Sequence, residues 1–188
     1  FPASAGILSD IGATYYHEGD LANAKKWVDL AMEGADIDGM TYTNAFFIYA
    51  VMEENAKALK ALTAACKLDS TTENLLYKAI LELIARADWR TTLSSYVSGS
   101  GASKDGAALA RTLLTSSPDS SSTYEAVAES NMNDGYMLPL HHLFRDRIGG
   151  FEASFNYAEA LGFNHRDQEA VVAFDAIPME GLYQEQTE

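Results

Sequence analysis

The pattern of apolar and polar residues repeats along the first half of the chain with a period of 34 residues. The segment around Tyr15 aligns at this offset with the segment around Tyr49. The aligned positions keep similar side chains together: Ala24 with Ala58, Val28 with Leu62, Ala31 with Ala65, Ile11 with Ala45 and Ala79, and Leu8 with Tyr42 and Leu76. Between polar breaks near residues 19–21, 54–56 and 87–89, the apolar residues recur three or four positions apart. This spacing predicts a repeated pair of amphipathic helices.

The repeat predicts helices near 4–18, 21–34, 39–53, 55–68, 72–86 and 88–98. Side chains suited to cap a helix start precede several of them: Asp20, Asp38, Asp69 or Ser70, and Asp88. Gly19 and Gly34 suit helix ends. The apolar run 46–51 would also suit a strand, but the repeat assigns it to a helix. Since no run of alternating apolar and polar residues between hairpin turns occurs, we predict an all-α fold.

The second half follows a Gly- and Ser-rich break at 99–104. Its amphipathic segments predict helices near 104–116, 123–132, 139–148, 151–162 and 166–177. We therefore divide the chain into three repeats (1–98), the break, diverged helical hairpins that continue the stack (105–178) and an acidic tail (179–188). A separate helical subdomain is the alternative for 105–178.

The first repeat carries a family resemblance. Its pattern of large and small residues resembles the tetratricopeptide repeat at Leu8, Ile11, Gly12, Tyr15, Ala24, Val28 and Ala31. Residues 15–20, with 24–27 after them, also resemble the Sel1-like repeat. The second repeat matches the pattern well, whereas the third departs from it, for example at Thr92. Where the family usually has a Pro at the end of the unit, the first repeat has Asp36 and the second has Ser70. The resemblance covers about half of the chain and implies a right-handed α-solenoid of antiparallel hairpins.

The resemblance also implies a concave groove, lined by the first helix of each repeat, that binds a partner helix or peptide. Transferred to this chain, its partner-binding residues are Tyr16, His17, Phe47, Val51, Tyr77, Leu81 and Ile84. The basic clamp for a C-terminal carboxylate is missing, because Ser9 and Ala13 stand at its leading positions. The groove is instead apolar. It could equally be filled by the second half of the same chain.

Composition narrows the possible partners. The formal net charge is −14, with 13 basic and 27 acidic residues. Because nucleic-acid binding requires a basic surface, we expect no nucleic-acid partner. No apolar run has the roughly 18 residues of a membrane span. The single cysteine, Cys66, lies among apolar residues and is expected to be a small buried side chain. A chain that starts at Phe1 suggests a processed exported or organellar protein, and the compartment stays open.

Few residue patterns in the sequence suggest a catalytic or metal-binding site. His142 and Asp146, four residues apart on a predicted helix, have a spacing compatible with metal ligation, with His141 and His165 nearby. The third ligand of a recognisable motif is missing, and surface histidines beside arginines explain the pattern as well. Two carboxylate pairs, Glu125 with Glu129 and Glu152 with Glu159, are what solvated faces of an acidic chain produce. We therefore predict no catalytic residue, no metal and no cofactor.

These observations predict a protein–protein interaction scaffold, adaptor or accessory subunit of a larger complex, and not an enzyme. Two alternatives stay open. One is a structural subunit whose groove is filled by its own second half. The other is an enzyme or metal-binding protein with a site in 139–167.

Overall fold

Helix formation along the chain follows the amphipathic pattern of the sequence. The computed structural model describes residues 4–68, 72–117, 120, 123–124 and 137–177. Within these ranges the regular structure is ten α-helices, and no strand is present. The helices are α1 (Ala5–His17), α2 (Leu21–Ala31), α3 (Gly39–Val51), α4 (Asn55–Leu68), α5 (Thr72–Ile84), α6 (Trp89–Ser98), α7 (Lys104–Thr115), α8 (Leu138–Arg147), α9 (Gly150–Phe163) and α10 (Asp167–Asp175). The predicted all-α fold is confirmed for this part of the chain.

The predicted helices that fall on described residues are all present, with ends within three residues of the prediction. The apolar run 46–51 lies inside α3. The helix predicted near 123–132 lies, apart from Thr123 and Tyr124, outside the described residues. The tail from 179 lies outside them as well.

Three aspartates start helices as predicted. The side chains of Asp20, Asp38 and Asp88 accept hydrogen bonds from the backbone N–H three residues later, at 3.1, 2.7 and 3.5 Å. Each bond pairs a backbone donor that the helix itself leaves free, which typically contributes about 1 kcal/mol. The start signal at Asp69 or Ser70 lies outside the described residues.

One turn recurs between paired helices. Gly19, Glu53, Arg86 and His165 each follow a helix end with a left-handed backbone, at φ 80°, 55°, 56° and 60°. In all four turns this residue donates its N–H to the carbonyl three residues back, and the next residue donates to the carbonyl five residues before it. This arrangement satisfies the last helix carbonyls and reverses the chain.

The turns join helices that pack against each other: α1 with α2, α3 with α4, α5 with α6, and α9 with α10. Because three or four residues join the members of each pair, the members run antiparallel. Successive pairs also touch, since α3 contacts both α1 and α2, and α5 contacts α4. Helix α7 packs against α6. Among the described residues, none of the helices combines the length and apolarity that crossing a bilayer requires.

Gly12 shows why a small residue belongs in the first pair. A Cβ at this position would lie 3.1 Å from the carbonyl oxygen of Ala24 and 3.3 Å from the backbone nitrogen of Val28. Both of those atoms belong to the backbone of α2, so a Cβ at this position could be accommodated only by moving the two helices apart. Gly12 therefore permits the close approach of α1 and α2.

The last three described helices return to the beginning of the chain. Helix α8 packs against α3 and α5, and α9 packs against α8. The main apolar core extends from α2 to α9. A second core joins Leu21 and Val51 of the first half to Leu138, Tyr157 and Leu161 of the second. The two halves therefore share their buried surface.

Candidate functional site

The residues assigned to the groove lie on α1, α3 and α5, but they do not form one open surface. Val51 and Leu81 are buried, at 0% and 1% exposure. The side chains of Tyr16, Phe47, Tyr77 and Ile84 are half-buried, and that of His17 is exposed. The rings of Phe47 and Tyr77 meet edge to face, with centroids 6.3 Å apart. Leu81 belongs to the main core, with Phe47, Tyr77 and Ile84 packed against it. Val51 belongs to the second core, and Tyr16 packs against both cores.

The second core explains why Val51 is buried. Leu138 of α8 and both Tyr157 and Leu161 of α9 pack in the same cluster, and Tyr16 lies at its edge. Removing a side chain of this size from water stabilises a fold by about 1.5–3 kcal/mol. The chain's own second half therefore packs on Val51 and Tyr16, two of the positions that the resemblance assigned to partner binding.

A half-buried polar cluster holds the same region together. Glu53, in the left-handed turn after α3, has a side chain that is 13% exposed. Its carboxylate accepts hydrogen bonds from Nη1 of Arg166 at 2.6 Å, from Oη of Tyr157 at 3.2 Å and from Nδ1 of His142. We call these four residues the Glu53 cluster. They come from the α3–α4 turn, α8, α9 and the α9–α10 turn, so the cluster joins the two halves of the chain.

Electrostatics keep Glu53 and Arg166 of the cluster ionised. Burial acts to raise the pKa of Glu53, but the bonds from His142 and Arg166 outweigh it, so the pKa lies below its ordinary value. Burial acts to lower the pKa of Arg166, and the carboxylates of Glu169 and Glu53 raise it further than burial lowers it. Burial, together with the charge of Glu53, raises the pKa of Tyr157 to about 12, so its hydroxyl stays a donor.

Arg166 has further partners that fix its position. Its Nη1 also donates to the carbonyl oxygen of Val51 at 3.1 Å. Its Nε and Nη2 donate to the carboxylate of Glu169, at 2.8 and 2.5 Å. The side chain is 12% exposed. A guanidinium with such fixed partners binds the α9–α10 turn to the end of α3.

The candidate metal ligands belong partly to this cluster. His142 and Asp146 lie one turn apart on α8, with Nε2 and Oδ2 3.4 Å apart. The other ring nitrogen of His142 bonds to Glu53. His165 lies in the α9–α10 turn, against Gly19. Within the described residues, no group of three His, Cys, Asp or Glu side chains could hold a metal ion.

The remaining candidates lie apart from the cluster. Glu152 and Glu159 are exposed on α9, while Glu125 and Glu129 lie outside the described residues. Cys66 is half-buried and not fully buried as predicted; it packs against the main core, and burial raises the pKa of its thiol.

One apolar surface was not predicted from the sequence. On α9, the rings of Phe151 and Phe155 stack with centroids 5.8 Å apart, and Phe155 meets Phe174 of α10 edge to face at 5.5 Å. Phe174 is 39% exposed, and Val171, one turn before it, is 60% exposed. We call Phe151, Phe155, Val171 and Phe174 the terminal face. The apolar spacing of 166–177 predicted a helix there, but not that Phe174 faces water.

Comparison with known proteins adds no relative: no protein-family model matches the chain, and searches of curated proteins and of solved structures give no match either. The resemblance drawn from the first repeat therefore stays a prediction.

Proposed function

We propose that this chain is a protein-interaction module of the tetratricopeptide type, an α-solenoid whose concave groove is filled by its own α8–α10. In this proposal the partner binds to the terminal face. The module acts as an adaptor or accessory subunit in a larger assembly, and it performs no chemistry of its own.

The recurring turn supports the repeat architecture. The left-handed residues Gly19 and Glu53 are 34 positions apart, which is the period of the sequence repeat. The turn at His165 has the same hydrogen bonds and precedes α10, whose Ala170 is buried as Ala24 is in α2. The α9–α10 pair is therefore consistent with a further unit of the same type.

The position of α8 supports a filled groove. It packs against α3 and α5, the helices that carry Val51 and Leu81. The Glu53 cluster holds α9 and the α9–α10 turn beside the end of α3. A partner helix in the groove would have to displace these contacts. Of the interpretations that the sequence left open, this geometry favours the groove filled by the chain itself.

The observation that carries the proposed function is the exposure of the terminal face. Val171 and Phe174 are accessible beside the half-buried rings of Phe151 and Phe155. A contiguous exposed apolar surface is costly in water, and in a folded protein it is typical of a binding site. The rings already contact one another, so little side-chain freedom is lost when a partner binds.

The rival function is an enzyme or metal-binding site within 139–167. The contacts support a structural role for the polar groups there. His142 and Tyr157 bond to Glu53, and Asp146 pairs with Arg145 at 2.7 Å.

Quantitative affinity capture from the native source tests the proposed function. The bait is the wild type or the double variant Val171→Ser/Phe174→Ser. The control variant Ile7→Ser/Met40→Ser removes two exposed apolar side chains that lie on α1 and α3 and not on the terminal face, at 57% and 63% exposure. We expect at least one stoichiometric partner to be retained by the control and lost by the terminal-face variant, with both variants folded by circular dichroism. Equal recovery of partners by both variants would refute the proposed function.

A further inference from the structure

The terminal face has the position that a following helix covers in the other pairs. Val28, Leu62 and Tyr96 stand at matching places on α2, α4 and α6, and each is buried, with at most 1% exposure. Each of these helices packs against the first helix of the next unit: α2 against α3, α4 against α5, and α6 against α7. Aligned on the turns at Gly19 and His165, Phe174 matches Val28.

Phe174 differs from its counterparts in exposure. It is 39% exposed, and the described part of the chain supplies no next helix to cover it. Val171, one turn earlier, is 60% exposed. In the first three pairs, the second helix packs against the following α-helix. The shape that fits the terminal face is therefore also an α-helix.

Charge specifies the chemistry of that helix. Together α9 and α10 carry five carboxylates and neither Lys nor Arg. One of the five, Glu169, pairs with Arg166. The other four are exposed and form no ion pair with a described residue: Glu152, Glu159, Asp167 and Asp175.

These four carboxylates border the terminal face. Glu152 and Glu159 lie one turn before and one turn after Phe155 on α9. Asp167 and Asp175 lie one turn before and one turn after Val171 on α10. The apolar centre is therefore edged by negative charge on both helices, which favours a partner with positive charge beside its apolar contact.

We propose that the terminal face binds an amphipathic α-helix of a partner protein that carries Lys or Arg residues on both sides of its apolar stripe. This inference rests on the proposed function and names the chemistry of its partner. The apolar stripe packs on Phe155, Val171 and Phe174 and supplies most of the affinity. The basic residues meet the four carboxylates and set selectivity and association rate.

Charge also argues against the two other occupants. A second copy bound face to face would bring two sets of four carboxylates together, on chains of net charge −14 each. The chain's own residues 178–188 include three glutamates and no basic residue. Either occupant would add like charge at the rim, which is unfavourable.

The test uses the full chain and two labelled peptides of about 18 residues, roughly 27 Å as a helix. Both carry the same stripe of Leu and Phe. One has Lys and Arg at the flanking positions, and the other has Glu there. Fluorescence anisotropy measures their affinity for the wild type at low and at physiological salt. We expect the basic peptide to bind at least about 10-fold more tightly than the acidic one, with the difference falling as salt rises.

Two pairs of variants separate the apolar from the charged contribution. Val171→Ser/Phe174→Ser is expected to weaken the basic peptide at least about 10-fold, while Ile7→Ser/Met40→Ser leaves it unchanged. The rim variant changes Glu152 and Glu159 to Gln and Asp167 and Asp175 to Asn. Its control makes the same changes at four exposed carboxylates outside α9 and α10: Asp10, Glu18, Glu33 and Asp105. Only the rim variant is expected to remove the preference for the basic peptide.

Each outcome decides the inference. It is overturned if the two peptides bind alike, if neither binds, or if the rim variant and its control behave the same. It is also overturned if the wild type is a dimer that the terminal-face variant makes monomeric. The same holds if the basic peptide binds only after residues 178–188 are removed. If the charge preference fails while the terminal-face variant still loses its captured partner, the proposed function stands and only the partner chemistry is wrong.

Discussion

Replacing Glu53 with Gln tests whether the Glu53 cluster holds the two halves of the chain together. Gln keeps the shape of the side chain and one carbonyl acceptor, but it removes the charge that Arg166 and His142 face. Since Arg166 keeps Glu169 and the carbonyl of Val51, it is not left without partners. The loss should therefore be smaller than for a fully broken buried ion pair.

The magnitude follows from the contacts. A hydrogen bond to a charged group contributes about 1.5–3 kcal/mol, and breaking a buried ion pair costs about 3–5 kcal/mol. With Arg166 still partly paired, we expect Glu53→Gln to lower the free energy of unfolding by about 2 kcal/mol. For a chain of this size that lowers Tm by roughly 4–8 °C.

Urea unfolding at pH 7, followed by circular dichroism at the helix band, measures this loss. The matched control is Glu54→Gln in the same turn. Glu54 is 30% exposed and pairs with Lys25 at 3.4 Å and Lys57 at 2.8 Å. A surface pair of this kind contributes about 0–1 kcal/mol. Equal losses for the two variants, or a loss below about 1 kcal/mol for Glu53→Gln, would refute the reasoning.

Three further predictions concern stability. Because the pKa of Glu53 is lowered, its contribution to the free energy of unfolding is complete above the ordinary Glu pKa and is lost as pH falls through the lowered value. Urea unfolding at pH values from 7 to 3 should therefore show the difference in free energy of unfolding between wild type and Glu53→Gln closing on acidification. Arg86 is exposed at φ 56°, so Arg86→Gly should raise the free energy of unfolding by about 0.5 kcal/mol, and a decrease would contradict the left-handed turn. A Cβ on Gly106 would lie 2.2 Å from Oη of the buried Tyr96, so Gly106→Ala should lower the free energy of unfolding by about 1–3 kcal/mol. The control is Gly6→Ala, whose Cβ meets nothing within 3.8 Å, and it should leave the free energy of unfolding unchanged or raise it.

The helices were predictable because their signals are local. Apolar spacing, the capping aspartates and the turn at Gly19 each act within a few residues, and the helix bounds follow from them. The turns at Glu53 and Arg86 were harder, because neither residue favours a left-handed backbone by itself. Only the recurring polar breaks near residues 54–56 and 87–89 indicated that the chain reverses there.

The return of α8–α10 to the start of the chain could not be derived from the sequence. Glu53 and Arg166 are 113 positions apart, and no spacing rule connects them. The same holds for Leu138 and Val51 in the second core. The sequence left a filled groove and an open one equally possible, because both bury the same apolar side chains. Exposure of Phe174 was hidden for the same reason, since its spacing also suits a covered position.

The central claim is that α8–α10 pack back on the first helices and fill the groove. An engineered disulfide tests it most directly. A Cβ at Gly19 would lie 3.3 Å from Cβ of His165, close to the separation of about 3.5–4.5 Å in disulfides. Gly19→Cys/His165→Cys is made with Cys66→Ser, so that only the new thiols remain. Gly19→Cys/Arg86→Cys in the same background is the control.

Mild oxidation followed by peptide mapping under non-reducing conditions gives the result. The account predicts an intrachain disulfide between residues 19 and 165 in the monomer, and two free thiols in the control. If the 19/165 thiols stay free or join only between chains, or if the control links as readily, α9 and α10 do not lie against the first turn and the account is wrong.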